Sequence, residues 1–334
     1  MTRTVHIVVP DGIDDATRPS GGNFYDRRVS DGLAATGWDV CDHGVTPESL
    51  GATVDRLPDG ALVVIDGLIA SRAAAVLVPA SHRMRLVVLM HMPVGDTQEC
   101  AVLSAAEAVL TTSAWTRAHL LDLYPLEAAR VVAAPPGVDP ADVVPGTADG
   151  GELLCVAAVA AHKGHDDLVH ALAALTDLPW RLTMVGTIDR DPEFVRRLRD
   201  RATAAGIADR MIFRGPLVGA ELDAAYARAD VLVLTSRAET YGMVITEALA
   251  RGLPVIATSV GGVPEALGRV GSIRPGLLVP VGDPTAFSAA LYRWLCDERL
   301  RQRLRQAARQ RRRKLTGWSA TADRIARVLA KVAA

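Results

Sequence analysis

The sequence predicts an α/β protein built from two doubly wound, parallel-sheet domains. Three observations carry that prediction. In each half, short apolar runs of buried-strand type alternate with helical stretches, the pattern of a parallel sheet covered on both faces. A Pro-, Gly- and Asp-rich stretch at 140–151 separates the two series and reads as a linker. The chain has 334 residues, 49% of them hydrophobic, enough for each half to bury its own core.

The first series has strand-like runs at 5–9, 38–40, 61–65, 86–90, 108–112 and 130–134. After the first run, Ser20-Gly-Gly-Asn-Phe-Tyr25 reads as a loop opening a helix to about Ala35. Asp66-Gly67 ends the third run and His91-Met-Pro93 the fourth. A helix is expected over 99–108, and Ser113 is placed to cap another that runs to about Leu123. The second series has runs at 153–156, 182–185, 211–213, 231–234, 255–257 and 277–279. The expected division is therefore 1–145 and 151–315, with 316–334 as a separate last helix. Ile325 and Val328 fall on its buried side. Ligands are expected at the carboxyl ends of the strands.

Composition narrows the functional classes. A net charge of −1 argues against general nucleic-acid binding. The four cysteines, Cys41, Cys100, Cys155 and Cys296, have no metal-binding spacing and read as reduced thiols of a cytoplasmic protein. Residues 5–10 form a strand-length run rather than a signal peptide, and no run is long enough to span a membrane. The stretch 299–314 carries nine basic residues and an apolar stripe of Leu300, Leu304, Ala307 and Ala308. It reads as a surface helix with a solvated basic face, or as peripheral contact with an anionic lipid surface. Oligomeric state is not readable.

The chemistry concentrates after the run Val231-Leu-Val-Leu234. The loop Arg237-Ala-Glu-Thr-Tyr-Gly242 leads into a helix beginning Met243-Val-Ile-Thr-Glu247, which Gly252-Leu-Pro254 ends. Amides near Gly242, Met243 and Val244 form a helix N-terminus, a natural anion site, and Gly242 lets a ligand approach the backbone closely. Glu239 and Glu247 stand beside it. A carboxylate accepts both hydrogen bonds of a vicinal diol, so hydroxyls and phosphates together suggest a nucleotide sugar. By spacing alone, Glu239 could equally cap the helix and Glu247 be a solvated helical charge.

This stretch resembles the E-x7-E motif of family 4 glycosyltransferases, retaining enzymes of the GT-B fold. Gly261-Gly262-Val263-Pro264-Glu265 is similar to the family's G-G-x-P-E turn. The resemblance implies that Glu239 contacts the donor sugar and Glu247 the nucleotide ribose, with Tyr241 and the 242–244 amides in the donor site. It also implies two Rossmann-like domains facing a cleft, the last helix crossing back to the first. Gly21-Gly22-Asn23 resembles the family's Gly-Gly loop at the donor phosphate, although two glycines also make an ordinary turn. His91 matches a histidine at the donor sugar and reaction centre; read by itself, a lone histidine there is more often structural. Asp66, and with it Asn23, falls on the acceptor side, the alternative for Asp66 being a turn residue. Pro135-Pro-Gly-Val-Asp139 looks like the family's hinge stretch.

Cys155-Val-Ala-Ala-Val-Ala-Ala-His-Lys-Gly164 is similar to the segment in which a Lys and an Arg hold the leaving phosphates. Lys163 and Gly164 match, but Ala158 stands where the Arg belongs. Arg237 and His162 are the nearest substitutes in sequence. Asp189-Arg190-Asp191 could bind a metal, but Pro192 behind it is the grammar of a helix cap. No metal site and no cofactor are expected beyond a nucleoside-diphosphate-sugar donor. The expected reaction is retaining transfer of a hexosyl-type sugar to an acceptor hydroxyl, small or lipid-linked, in the interdomain cleft. A nucleotide-sugar epimerase or hydrolase, or a non-catalytic nucleotide-sugar-binding protein, are the alternatives.

Overall fold

The computed structural model describes residues 3–334. The chain forms two compact units. One comprises residues up to Asp15, Ser20–Gly137 and Thr316–Ala334; the other comprises Ala16–Pro19 and Val138–Leu315.

The first unit holds a six-stranded parallel sheet. Its strands are β1 (Arg3–Pro10), β2 (Trp38–Val45), β3 (Leu62–Asp66), β4 (Arg85–Met90), β5 (Ala108–Thr111) and β6 (Val131–Ala133). The spatial order is β2-β1-β3-β4-β5-β6. β2 runs five residues past the expected 38–40. It is an edge strand of mostly exposed or half-buried residues, so it needs no continuous apolar run. The last helix, Trp318–Val332, belongs to this unit. It lies so close on helix Gly21–Ala35 that a Cβ on Gly32 would come within 2.6 Å of the Ala322 methyl. Ile325 is buried as expected, but its neighbour on that face is Leu329, with Val328 half-exposed. Thr321 Oγ1 donates to Pro135 O at 2.8 Å and anchors the helix start.

The second unit holds β7 (Glu152–Val156), β8 (Arg181–Val185), β9 (Met211–Phe213), β10 (Val231–Leu234), β11 (Val255–Thr258) and β12 (Gly276–Val279). They are all parallel, in the order β12-β11-β10-β7-β8-β9. Along β10, Val231 and Val233 enter one core cluster and Leu232 and Leu234 the other. Apolar helices cover both faces, which is why these strands read as unbroken apolar runs.

The stretch 140–151 is packed onto the second unit and is no free tether. Val144 N donates to Arg251 O at 2.9 Å, and Thr147 donates Oγ1–H to the buried Asp230. The basic helix, Glu298–Arg312, supplies much of that anchoring. Arg301 donates to Trp294 O and Ala148 O, Arg305 to Thr147 O and Asp230, and Arg312 to Ala250 O and Ala141 O. The apolar stripe of Leu300, Leu304, Ala307 and Ala308 is buried in the unit. The helix is thus a clamp with Arg301, Arg305 and Arg312 turned inward rather than wholly solvated, which weakens the lipid-surface reading. Among the described residues no helix is long and apolar enough to cross a membrane.

Candidate active site

In an open parallel sheet, ligands gather where the strand order reverses, at the carboxyl ends of the strands. The first sheet reverses between β1 and β3, the second between β7 and β10. The side chains singled out above assemble at these two places.

In the second unit, the loops after β7 and β10 are stitched together. Arg237 N donates to His162 O at 2.8 Å, and Thr235 Oγ1 donates to Lys163 O at 3.2 Å. Gly164 sits at φ +67°, and a Cβ there would lie 2.1 Å from Thr235 O. This glycine therefore sets how closely the two loops meet. Their closeness brings Lys163 Nζ to 2.7 Å from Glu239 Oε2, with both side chains largely shielded, 19% and 15% exposed. Ser236 Oγ also reaches that oxygen, at 3.4 Å. The G-G-x-P-E turn supports the loop from beneath. Gly262 N donates to Glu239 O at 3.0 Å, and a Cβ on Gly262 would meet Thr240 O at 2.2 Å.

Helix Met243–Ala250 starts at Gly242, which has φ +91° and offers no capping side chain. Tyr241 is buried beside it. Glu239 does not cap this helix; its carboxylate goes to Lys163. Glu247 is not a solvated charge either. Its Oε2 accepts from Tyr226 Oη at 2.8 Å, and burial pushes its carboxyl above the usual range. Arg251 stacks over the Tyr226 ring at 4.4 Å and holds that partner in place.

Arg237, expected as a substitute cation, is taken up locally. Its guanidinium bonds Asp166 and Asp167, each at 2.8 Å, and donates to Ala161 O at 2.7 Å. His162 is a poor cation, since burial and then Lys163 lower its pKa. Of the three candidate cations, Lys163 alone is both charged and directed at Glu239. The Asp-Arg-Asp string is a cap: Asp191 accepts from Phe194 N at 2.9 Å, with Pro192 at the first helical position.

In the first unit, Gly21, Gly22 and Asn23 are not loop residues. They form the first turn of helix Gly21–Ala35, capped by Ser20, whose Oγ accepts from Asn23 N at 3.1 Å. A Cβ on Gly22 would contact the His91 ring at 3.5 Å, so this helix start lies against His91. Asp66 ends β3 and accepts from Leu68 N at 2.5 Å, a local cap, while its Oδ2 lies 3.8 Å from His91 Nε2. His91 Nε2 is 2.6 Å from Asp26 Oδ1. Asp26, Asp66 and His91 are all buried, with one ligand-type atom of each within 4.8 Å of the others. Burial pushes Asp66 up to about 7, with Asp26 adding to it and His91 opposing. For His91, burial lowers the pKa, but Asp26 and Asp66 outweigh it and leave it at about 9.

Sequence reading missed Asp26 and Tyr226. Asp26 had a signal: it lies three and seven residues before Val29 and Leu33, on the helix's buried stripe, where a carboxylate needs a partner. Tyr226 had none, because its helix, Gly219–Ala227, meets Glu247 only through the fold.

Comparison with known proteins agrees with the fold. The family of glycosyl transferases group 1 matches residues 146–311. The D-inositol 3-phosphate glycosyltransferase of Kineococcus radiotolerans is 32% identical over 288 residues, covering 77% of this chain and 66% of its own length. That of Frankia alni is 32% identical over 288 residues, covering 78% and 69%. The chain thus spans about two thirds of the length of the curated relatives it matches. Among solved structures, sucrose-phosphate synthase from Thermosynechococcus elongatus superposes with a TM-score of 0.82 at 22% identity, over 98% of both chains. Anabaena HepE, solved in complex with UDP-glucose, superposes with 0.78 at 18% identity, over 98% and 99%.

Proposed function

Because the chain belongs to the group 1 glycosyl transferases and has their GT-B fold, we propose that it moves a sugar from a nucleoside-diphosphate sugar to an acceptor hydroxyl with retention of configuration. The observation that carries this reading is the Lys163–Glu239 pair at the second unit's switch point, beside an uncapped helix N-terminus. An ammonium and helix amides suit a diphosphate; a carboxylate beside them suits sugar hydroxyls. HepE, of the same fold, is solved with UDP-glucose, which makes a nucleotide sugar a natural donor class to test.

In this reading Lys163 and the Met243 and Val244 amides stabilise the departing diphosphate. Glu239 holds the donor sugar, and Lys163 keeps its carboxylate turned inward. Glu247 accepts from the ribose, with Tyr226 fixing one of its oxygens. By the family resemblance, His91 is assigned to the reacting sugar and Asp66 to the acceptor side. Difficult charge separation at the glycosidic bond is met by preorganised positive charge rather than by a protein nucleophile. The deciding experiment is a donor panel read by thermal shift, followed by product analysis. Free nucleoside diphosphate together with a heavier acceptor demonstrates transfer; tight donor binding without turnover on any acceptor contradicts it.

The two donor-site carboxylates should respond differently to truncation. Glu247→Ala should weaken free nucleoside diphosphate by on the order of 1.5–3 kcal/mol, the value of a charged hydrogen-bond pair, or about ten- to a hundredfold in Kd. Titration calorimetry reads this directly, and unchanged affinity in a folded variant would remove Glu247 from the ribose. Glu239→Ala should instead spare nucleoside diphosphate and impair the full donor. A third prediction concerns metal. With the Asp-Arg-Asp string occupied as a cap, turnover should survive EDTA; loss restored by Mg²⁺ or Mn²⁺ would overturn the metal-independent assignment.

A further inference from the structure

We propose that Asp26 is a positioning residue that fixes the His91 imidazole as a cation, with Nδ1–H turned outward as a hydrogen-bond donor. The proposal deepens the role given above to His91 and rests on that reading. Asp26 stands on helix Gly21–Ala35, is 1% exposed, and holds His91 Nε2 at 2.6 Å. A carboxylate at that distance accepts from Nε2–H, so the second ring nitrogen is left to carry the ligand contact. Nδ1 has no partner among the described residues and is not sealed from solvent; the side chain is 10% exposed.

The groups packed on the ring come from two segments. Asp26 and Tyr25 lie on one helix, with Tyr25 edge-on at a centroid distance of 5.4 Å, and Asp66 closes from β3. Tyr25 stays neutral because burial, then Asp26, push its hydroxyl far up; its Oη donates to Ala134 O. Two carboxylates and, among the described residues, no facing cation stabilise an imidazolium in a site that would otherwise discharge it. Outward, a charged Nδ1–H suits an electron-rich oxygen on the sugar or the acceptor.

A bound metal is the competing use of these three residues. Two atoms in adjacent positions on an ion with bonds of about 2.1 Å would stand about 3 Å apart. The 2.6 Å contact is that of groups bonded to each other. Asp26 Oδ2 and Asp66 Oδ2 have no other partner, and the hydrogen bond between the two carboxyls that helps raise Asp66 is made by a shared proton rather than an ion.

The test is a titration of the His91 ring by NMR in histidine-labelled protein, assigned with His91→Gln. Wild type should titrate near 9 with both ring nitrogens protonated at neutral pH. Asp26→Asn should titrate below the ordinary histidine value of about 6.5, because burial then acts with less opposition. Asp26→Glu should restore part of the rise, and it serves as the second variant should Asp26→Asn unfold. An unmoved titration in folded Asp26→Asn would overturn the proposal, as would His91 signals broadened beyond detection by equimolar Mn²⁺. The sign of the linkage gives a second readout. A histidine raised in the folded state stabilises fully below about 6.5 and loses that stabilisation as pH rises through about 9. Asp66, raised to about 7, stabilises below about 4 and is lost as pH rises through 7. Asp26→Asn should therefore flatten the fall in Tm above pH 7; an identical fall would count against it. No donor or acceptor is needed, so failure here is distinct from failure of the transfer reading.

Discussion

Lys163→Ala is expected to lose at least about 10²-fold in kcat/KM, mostly in kcat, the usual consequence of removing one preorganised electrostatic donor. Charge on the leaving diphosphate grows as the glycosidic bond breaks, so a fixed ammonium favours the transition state over the ground state. The second unit offers no ready replacement. Ala158 stands where the resemblance implies an arginine, Arg237 is held by Asp166 and Asp167, and His162 is biased toward neutrality. The substitution also strips Glu239 of its cation. Steady-state kinetics on Lys163→Ala and Arg237→Ala, with folding checked by circular dichroism, separate the roles. Arg237→Ala should be the next most damaging, acting through the loop it ties down. A Lys163→Ala enzyme within about fivefold of wild type, about 1 kcal/mol in barrier, would return Lys163 to an ordinary loop lysine.

Gly262→Ala is expected to damage both stability and donor binding. The added methyl would lie 2.2 Å from Thr240 O and 2.8 Å from Tyr241 Cα, both backbone atoms that cannot rotate away. Overpacking of this kind costs about 1–3 kcal/mol. For a unit of this size, that is a fall in Tm of roughly 2–12 °C. The loop that must yield is the one carrying Glu239, and Gly262 N loses its bond to Glu239 O as it does. Donor affinity measured by calorimetry should therefore fall even below the melting transition. Gly51→Ala, in an open position on helix Leu50–Arg56, serves as the control and should be neutral or slightly stabilising. Wild-type donor affinity in Gly262→Ala would show that the loop absorbs the methyl without moving Glu239.

Much of the fold was legible because its strands are covered on both faces. Val231-Leu-Val-Leu234 announces itself, as do 62–65 and 86–90, since every residue there must be apolar whichever way it points. Edge strand β2 was read short for the opposite reason. Within the site, Glu239, Glu247, Lys163 and His91 stood out from their local setting, but their partners did not. Asp26 is 65 residues from His91, and Glu239 is 76 from Lys163. Such pairs follow from strand order, and a linear pattern does not encode which loops become neighbours. Arg237 shows the cost: by sequence it was a free cation near the motif, and only the turn at Gly164 reveals the two aspartates that hold it.

The placement of helix Trp318–Val332 in the first unit has a consequence for biosynthesis. On the ribosome the second unit's strands are all made while the first still lacks the helix that packs on Gly32. Residues 138–315 can collapse as they emerge, whereas the earlier-made half must wait with an uncovered apolar face until residue 332 has left the exit tunnel. A nascent chain stalled near 315 would therefore recruit chaperones through its oldest segment, not its newest.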